Sequence, residues 1–169
     1  VDINESMTFQ YNDWITEFCL PDGNAKYTLE WAQEGFRKQK KQDFLFFWGH
    51  QPAADGKINQ STLSQWWMSD FSTYYKYCCM EQYMMAEKAD LFGDEATEEQ
   101  IMKAQQPAEI KELGRAVTGL SQTIWDRYKN NIVLTGTYYQ FAQIPSLLQY
   151  HTSTGETILE EHSPIDTAS

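Results

Sequence analysis

Glu81 and Lys88 lie seven residues apart in the segment running from Met80 to Phe92, whose other positions are mostly Met, Tyr, Ala, Leu and Phe. At ~100° per residue, seven positions return to nearly the same helix face, ~10 Å further along the axis. A carboxylate and an amine are thereby aimed the same way from an element apolar enough to be buried. Charges in such a setting are costly, so they are either paired structurally or do chemistry. Two turns of separation is long for a direct contact, so each is expected to face a different part of a ligand.

Four further groups carry chemically useful side chains. Ser64, Gln65, Trp66 and Trp67, with Phe71 after them, offer aromatic faces beside hydrogen-bonding groups. Such a group can stack a planar ring and bond its edge, although adjacent Trp residues are also ordinary packing. Lys111, Gly114 and Arg115 surround an expected helix end, where a guanidinium and free backbone groups suit a phosphate. Trp125 stands alone. The segment from Glu161 to Asp166 brings two more carboxylates near the C-terminus. Gly-rich phosphate loops, His or Cys clusters of metal-site spacing and nucleophile elbows are missing from the sequence.

These side chains must be held by a mixed set of elements. Residues 1–27 read as irregular, with a turn at Pro21-Asp22-Gly23-Asn24. Thr28 is expected to cap a helix to about Lys41, with Leu29, Ala32 and Phe36 on one side. Arg37, Lys38, Lys40 and Lys41 at its end complement the helix dipole or contact a phosphate. Phe44 to Trp48 reads as a buried strand, followed by a loop, and residues 72–79 as a second strand paired with it. From Met80 the pattern turns helical. Thr97 with Gln100 suggests a capping box for a helix to about Gln105. Pro107 opens another, closing near Gly114. Further helices are expected from about Leu120 to Tyr128 and from Ile132 to Gln143, where Pro145 interrupts. Thr154-Gly155 reads as a turn and Thr157 to Glu161 as a short strand. The expected fold is α+β: a single, mainly helical domain with a small β-sheet.

The chain has 169 residues, enough for one domain with its own core. Its net charge of -11 argues against broad, charge-driven binding to nucleic-acid backbones, though a local basic pocket remains compatible. Three Cys, two of them adjacent, make no disulfide framework and point to a reducing, cytoplasmic compartment, or the nucleus in a eukaryote. The longest apolar run, Phe44 to Trp48, is far short of the ~20 residues that cross a bilayer, so no membrane partner is expected. The N-terminus does not read as a signal peptide.

Taken in order, the motifs resemble the NADAR, or YbiA-like, family. Its members show FxFFWG, then SQW with a Phe a few residues on, then a segment close to EQYMMAEKA-LFGD. After these come I-KA--P---K-LGR-V, a Trp about ten residues later, a Phe-containing helix, and E-S--D. This chain matches at Phe44 to Gly49, Ser64 to Trp66, Phe71, Glu81 to Asp94, Ile101 to Pro107, Lys111, Gly114-Arg115, Trp125, Phe141, Glu161 and Asp166. The resemblance covers about residues 44–166. Residues 1–43 then form an N-terminal extension and residues 44–169 a NADAR-like domain.

The resemblance implies an N-glycosidase that hydrolyses the C1–N bond of an ADP-ribosylated substrate such as ADP-ribosyl-guanine, releasing ADP-ribose without a cofactor. ADP-ribosylated DNA or RNA is a further implied partner. The alternatives are ribosylated intermediates of riboflavin synthesis as substrate, or a non-catalytic module binding ADP-ribose or NAD. The implied catalytic residues are Glu81, Asp166 and Lys88. Substrate binding falls to Ser64, Gln65, Trp66, Phe71, Tyr83, Gly114, Arg115, Trp125 and Glu161. Within that set Trp66 and Trp125 would sandwich a ring and Arg115 would meet a phosphate.

Two departures stand out. Gln140 replaces a Lys usual in the family, which puts a phosphate or ribose contact in doubt. Ser169 stands where a Trp would begin a WG-x-G turn, so the domain is expected to lack its C-terminal end.

Overall fold

The structure, a computed structural model, describes residues 28–38 and 41–161. In chain order these form α1 (Leu29–Arg37), β1 (Phe44–Phe47), a 3-10 turn (Gln60–Leu63), β2 (Phe71–Ser72), β3 (Lys76–Tyr77) and α2 (Met80–Leu91). Then follow α3 (Glu95–Lys103), α4 (Pro107–Ala116), α5 (Gln122–Gln143), α6 (Pro145–Ser153) and β4 (Ile158–Glu161). The mainly helical α+β architecture is the one expected.

The domain is built around α2. It buries side chains all round, from Met80, Gln82 and Tyr83 to Met85, Ala86 and Ala89, as a helix does when it is surrounded rather than laid on a surface. Helices α3, α4 and α5 pack against it. Two glycines allow the closest approaches. A Cβ on Gly136 of α5 would stand 2.4 Å from Tyr83 Cδ1, and one on Gly114 of α4 would stand 1.9 Å from Met85 Sδ. Only a residue without a side chain lets the backbones come so near.

Gln82 ties α2 to its neighbours. Its Oε1 accepts the Cys78 N–H at 2.8 Å, and its Nε2 donates to the carbonyls of Ile101 and Ala104 at 2.9 Å each. The Ala104 carbonyl just past α3 and the Ile101 carbonyl in its last turn, which also accepts the Ala104 N–H, are thus bonded from the side. The short antiparallel hairpin of β2 and β3 pairs Phe71 with Tyr77 and closes the aromatic end of this core. The rings of Phe71, Tyr77 and Tyr83 meet at centroid distances of 5.2–6.0 Å.

Several expectations are corrected. Phe44–Phe47 does not pair with the segment after residue 71. It pairs in parallel with β4, Phe44 opposite Ile158 and Phe47 opposite Glu161. Parallel partners need a long crossover and leave no local turn signature, so nothing near either strand announces the other. The strand is also only half buried: Phe44 and Phe46 face outward, their rings stacked at 5.8 Å. Helix α1 ends at Arg37 and not near Lys41, capped as expected by the Thr28 side chain, and its Phe36 is 78% exposed. Arg37 and Lys38 pair with Glu34 on its surface.

The cap of α3 is Asp94, not Thr97. Its carboxylate accepts from the backbone and hydroxyl of both Thr97 and Thr118, which holds its pKa down to about 2. The two helices expected between Leu120 and Gln143 are one continuous helix of 22 residues. The Asn130-Asn131 pair is a weak helix former, but Gly136 and Ile132 pack onto the core and carry the helix through it. Pro145 does end α5, and it opens α6 as that helix's first residue.

Candidate functional site

Five parts of the fold converge on a cleft of about 260 Å3. From α2 come Glu81, Met84, Met85 and Lys88, the i, i+3, i+4, i+7 stripe of one helix face. From α4 come Lys111, Gly114 and Arg115, spaced in the same way. The segment before β2 supplies Gln65 and Trp66, α5 supplies Trp125, and the last residue of β4 supplies Glu161. Three cations and two carboxylates therefore line this cleft in a chain of net charge -11.

Glu81 forms the floor and is 4% exposed. The chain at 65–66 grips it twice: the Glu81 N–H donates to the Gln65 carbonyl at 2.9 Å, and Trp66 Nε1 donates to Glu81 Oε2 at 3.2 Å. Burial pushes the Glu81 carboxyl above the usual carboxylate range. Lys111 and the Trp66 indole oppose that shift and Glu161 adds to it. Lys111 places its ammonium over the Trp66 ring, 5.5 Å from the centroid, so one indole receives a cation on its face and gives a proton to a carboxylate at its edge.

Lys88 faces the other end of the cleft. Its ammonium donates to the Gly114 carbonyl at 2.7 Å and stands 5.4 Å from the centre of the Trp125 ring. Burial lowers its pKa. Among the described residues no carboxylate pairs with it. Glu81 and Lys88 thus share a helix face without forming a salt bridge.

Of the side chains anticipated from sequence, Glu81, Lys88, Gln65, Trp66, Gly114, Arg115, Trp125 and Glu161 come together here. Three do not. Phe71 and Tyr83 are buried in the aromatic core beneath the hairpin, where their area is better used in packing than in the cleft. Ser64 is buried behind the wall, its Oγ accepting the Trp66 N–H and so shaping the turn that presents Gln65 and Trp66. Asp166 lies outside the described residues. Gln140, where a lost phosphate contact was expected, does not line the cleft: it is buried and donates to Ser69 Oγ at 2.8 Å. Met84 and Met85 were not anticipated, although the α2 stripe between Glu81 and Lys88 passes through both. Gly114 lies inside α4, not at its end, and contributes a carbonyl and a close approach.

Fold and cleft together define a small, mainly helical α+β protein with a tryptophan-walled site of mixed charge. The NADAR domain model matches residues 46–168, and the chain belongs to that family. It is 37% identical over 129 residues to the N-glycosidase R617 of Acanthamoeba polyphaga mimivirus, covering 73% of this chain and 74% of that protein. It is 32% identical over 93 residues to the protein irg-1 of Caenorhabditis elegans, covering 54% of this chain but 44% of that protein. The NMR structure of the E. coli protein YbiA shares the fold, with a TM-score of 0.60 at 20% identity over 76% of this chain and 72% of that one. No helix among the described residues is long and apolar enough to cross a membrane.

Proposed function

We propose that this protein is an N-glycosidase that hydrolyses the C1–N bond of a ribosylated substrate bearing phosphate, with an ADP-ribosylated nucleobase such as ADP-ribosyl-guanine as the preferred class. The observation that carries this reading is the position of Glu81, a buried carboxylate held by an indole N–H at the floor of a cleft lined also by Lys88, Lys111 and Arg115. The mimivirus relative's name as an N-glycosidase supports the reaction type.

Breaking a C1–N bond passes through an oxocarbenium-like transition state, which requires a negative charge near C1, a water on the open face and a proton for the leaving nitrogen. Glu81 supplies the charge. Its raised pKa lets it take up and return a proton at higher pH than a surface Glu. Asp166 is the second carboxylate proposed from sequence, with Glu161 the carboxylate that the described fold brings to the rim. Lys88 holds a hydroxyl or phosphate oxygen of the sugar side, and Lys111 and Arg115 meet the phosphates. Trp66 and Trp125 supply the flanking aromatic faces.

A cleft of about 260 Å3 is small beside ordinary ligand pockets of ~300–1,000 Å3, which favours as a second reading a compact substrate such as a ribosylated pyrimidine of riboflavin synthesis. Both substrates should be incubated with the protein and the released base and sugar measured by chromatography. Release of ADP-ribose that is lost in Glu81→Gln supports the first reading. Turnover of the pyrimidine alone supports the second. Tight ADP-ribose binding unaffected by Glu81→Gln, with no turnover of either substrate, would establish a binding module instead.

A further inference from the structure

A second hollow, of about 270 Å3, is lined by chain segments that run on into the cleft. Gln65 and Trp66 line the cleft while the next residues, Trp67 and Met68, line the hollow. Helix α4 borders the hollow with its first residue, Pro107, and the cleft with Lys111 one turn on. His50, at the edge of the hollow, packs its ring on Trp66 at 5.4 Å. The chemistry of the two spaces differs. The cleft is lined by five charged side chains, whereas the hollow has no Asp, Glu, Lys or Arg in its lining. Its polar groups are the amides of Gln51, Gln105 and Gln106 and the His50 imidazole, set beside Trp67 and Met68. The amides of Gln105 and Gln106 are solvent-exposed and make no hydrogen bond within the described residues. Gln106 is the residue that caps α4, yet its side chain makes no cap bond.

Resting on the N-glycosidase reading above, we propose that this hollow is the subsite for the leaving nucleobase. A neutral planar heterocycle gains little from charged walls and much from an indole face and amide groups, each of which both donates and accepts along a base edge. The charged cleft takes the sugar and phosphates and the neutral hollow takes the base. The bond to be broken then lies at the Trp66 boundary, where Glu81 is held. On this arrangement specificity for the leaving group resides in Trp67, Gln105 and Gln106, and not in the residues that surround Glu81.

The test uses the whole chain and two kinds of variant, Trp67→Ala and the exposed pair Gln105→Ala/Gln106→Ala, which keeps the protein foldable if the first does not. With ADP-ribosyl-guanosine as substrate, kcat/KM should fall about tenfold or more in Trp67→Ala, the loss typical of one base–aromatic stack, while the affinity for free ADP-ribose stays within twofold. The Gln pair should show a smaller loss of the same kind. Equal losses in kcat/KM and in ADP-ribose affinity, or no loss in either variant, overturn the assignment. A loss seen with an ADP-ribosylated trinucleotide but not with the nucleoside also overturns it, since the hollow would then hold a neighbouring base. Guanosine binding followed by NMR is independent of turnover. Saturable shifts at the Trp67 indole N–H and the Gln105 and Gln106 amides, without shifts at the Trp125 indole, are expected even in a protein that hydrolyses nothing. Shifts confined to Trp125, or none, overturn the assignment and leave the N-glycosidase reading standing on its own test.

Discussion

Replacing Gly114 by Ala probes how closely the cleft depends on one helix crossing. The added Cβ would lie 1.9 Å from Met85 Sδ, 2.6 Å from its Cγ and 3.1 Å from its Cβ. Carbon and sulfur need ~3.5–4.0 Å, so the overlap is about 2 Å at its worst, and it involves the root of the Met85 side chain as well as its tip. Met85 is buried and has little room to swing. Alanine is the better helix former by about 1 kcal/mol, and overpacking of this kind costs ~1–3 kcal/mol. The net loss is then about 1 kcal/mol, and up to ~2 if α4 must back away from α2, which corresponds to a fall in Tm of ~2–8 °C. Any such retreat carries the Gly114 carbonyl away from Lys88 Nζ, now 2.7 Å distant, so ligand affinity should weaken together with stability. Urea denaturation of a double-mutant cycle with Met85→Ala provides the measurement. Met85→Ala alone should cost ~2–5 kcal/mol through its cavity, and the new Cβ at position 114 should partly fill that cavity. The double variant should therefore be more stable than the sum of the single changes by ~1–2 kcal/mol. A Gly114→Ala protein as stable as the parent, or losses that simply add, would refute the argument that this crossing is set by steric contact.

Three further outcomes are expected. Trp66→Phe removes the indole N–H that favours the charged form of Glu81, so the limb of the kcat/KM–pH profile governed by Glu81 should move to higher pH, and an unmoved limb would show that the indole does not tune it. Burial raises the Glu81 pKa in the folded state, so the stability linked to this group is full below the unfolded carboxylate value and is lost as pH rises through the folded one. Glu81→Gln lacks that titration, and its urea midpoint should gain on the parent's as pH rises above the unfolded carboxylate value; parallel pH curves would contradict this. Gln82→Ala strips partners from the Cys78 N–H and the Ile101 and Ala104 carbonyls and should cost ~2–4 kcal/mol by urea denaturation, and a loss under ~1 kcal/mol would show that those groups find other partners.

The sequence was legible where chemistry and local pattern coincide. The charged residues on α2, the cations of α4 and the indole at 125 carry types and spacings that a helix face translates directly into a cleft wall, and the indole at 66 joins them from the segment before β2. It was less legible where the decisive contact is remote. Phe71 and Tyr83 look like ligand-stacking aromatics until the hairpin folds them together. The role of Gln140 depends on Ser69, 71 residues away. The unbroken course of α5 is imposed by packing that its Asn-Asn pair does not announce. The partner of β1 follows from topology alone.

That last pairing orders events in time. The helices around α2 are neighbours along the chain and can assemble as it is synthesised, taking Glu81 and Lys88 inside with them. Glu161 reaches the rim only when β4 finds β1, more than a hundred residues upstream. A nascent chain still held in the ribosome can thus carry a finished helical core and an unfinished cleft. Completion of the site marks completion of the polypeptide at least as far as residue 161, and no glycoside meets the full set of cleft residues before that strand has docked.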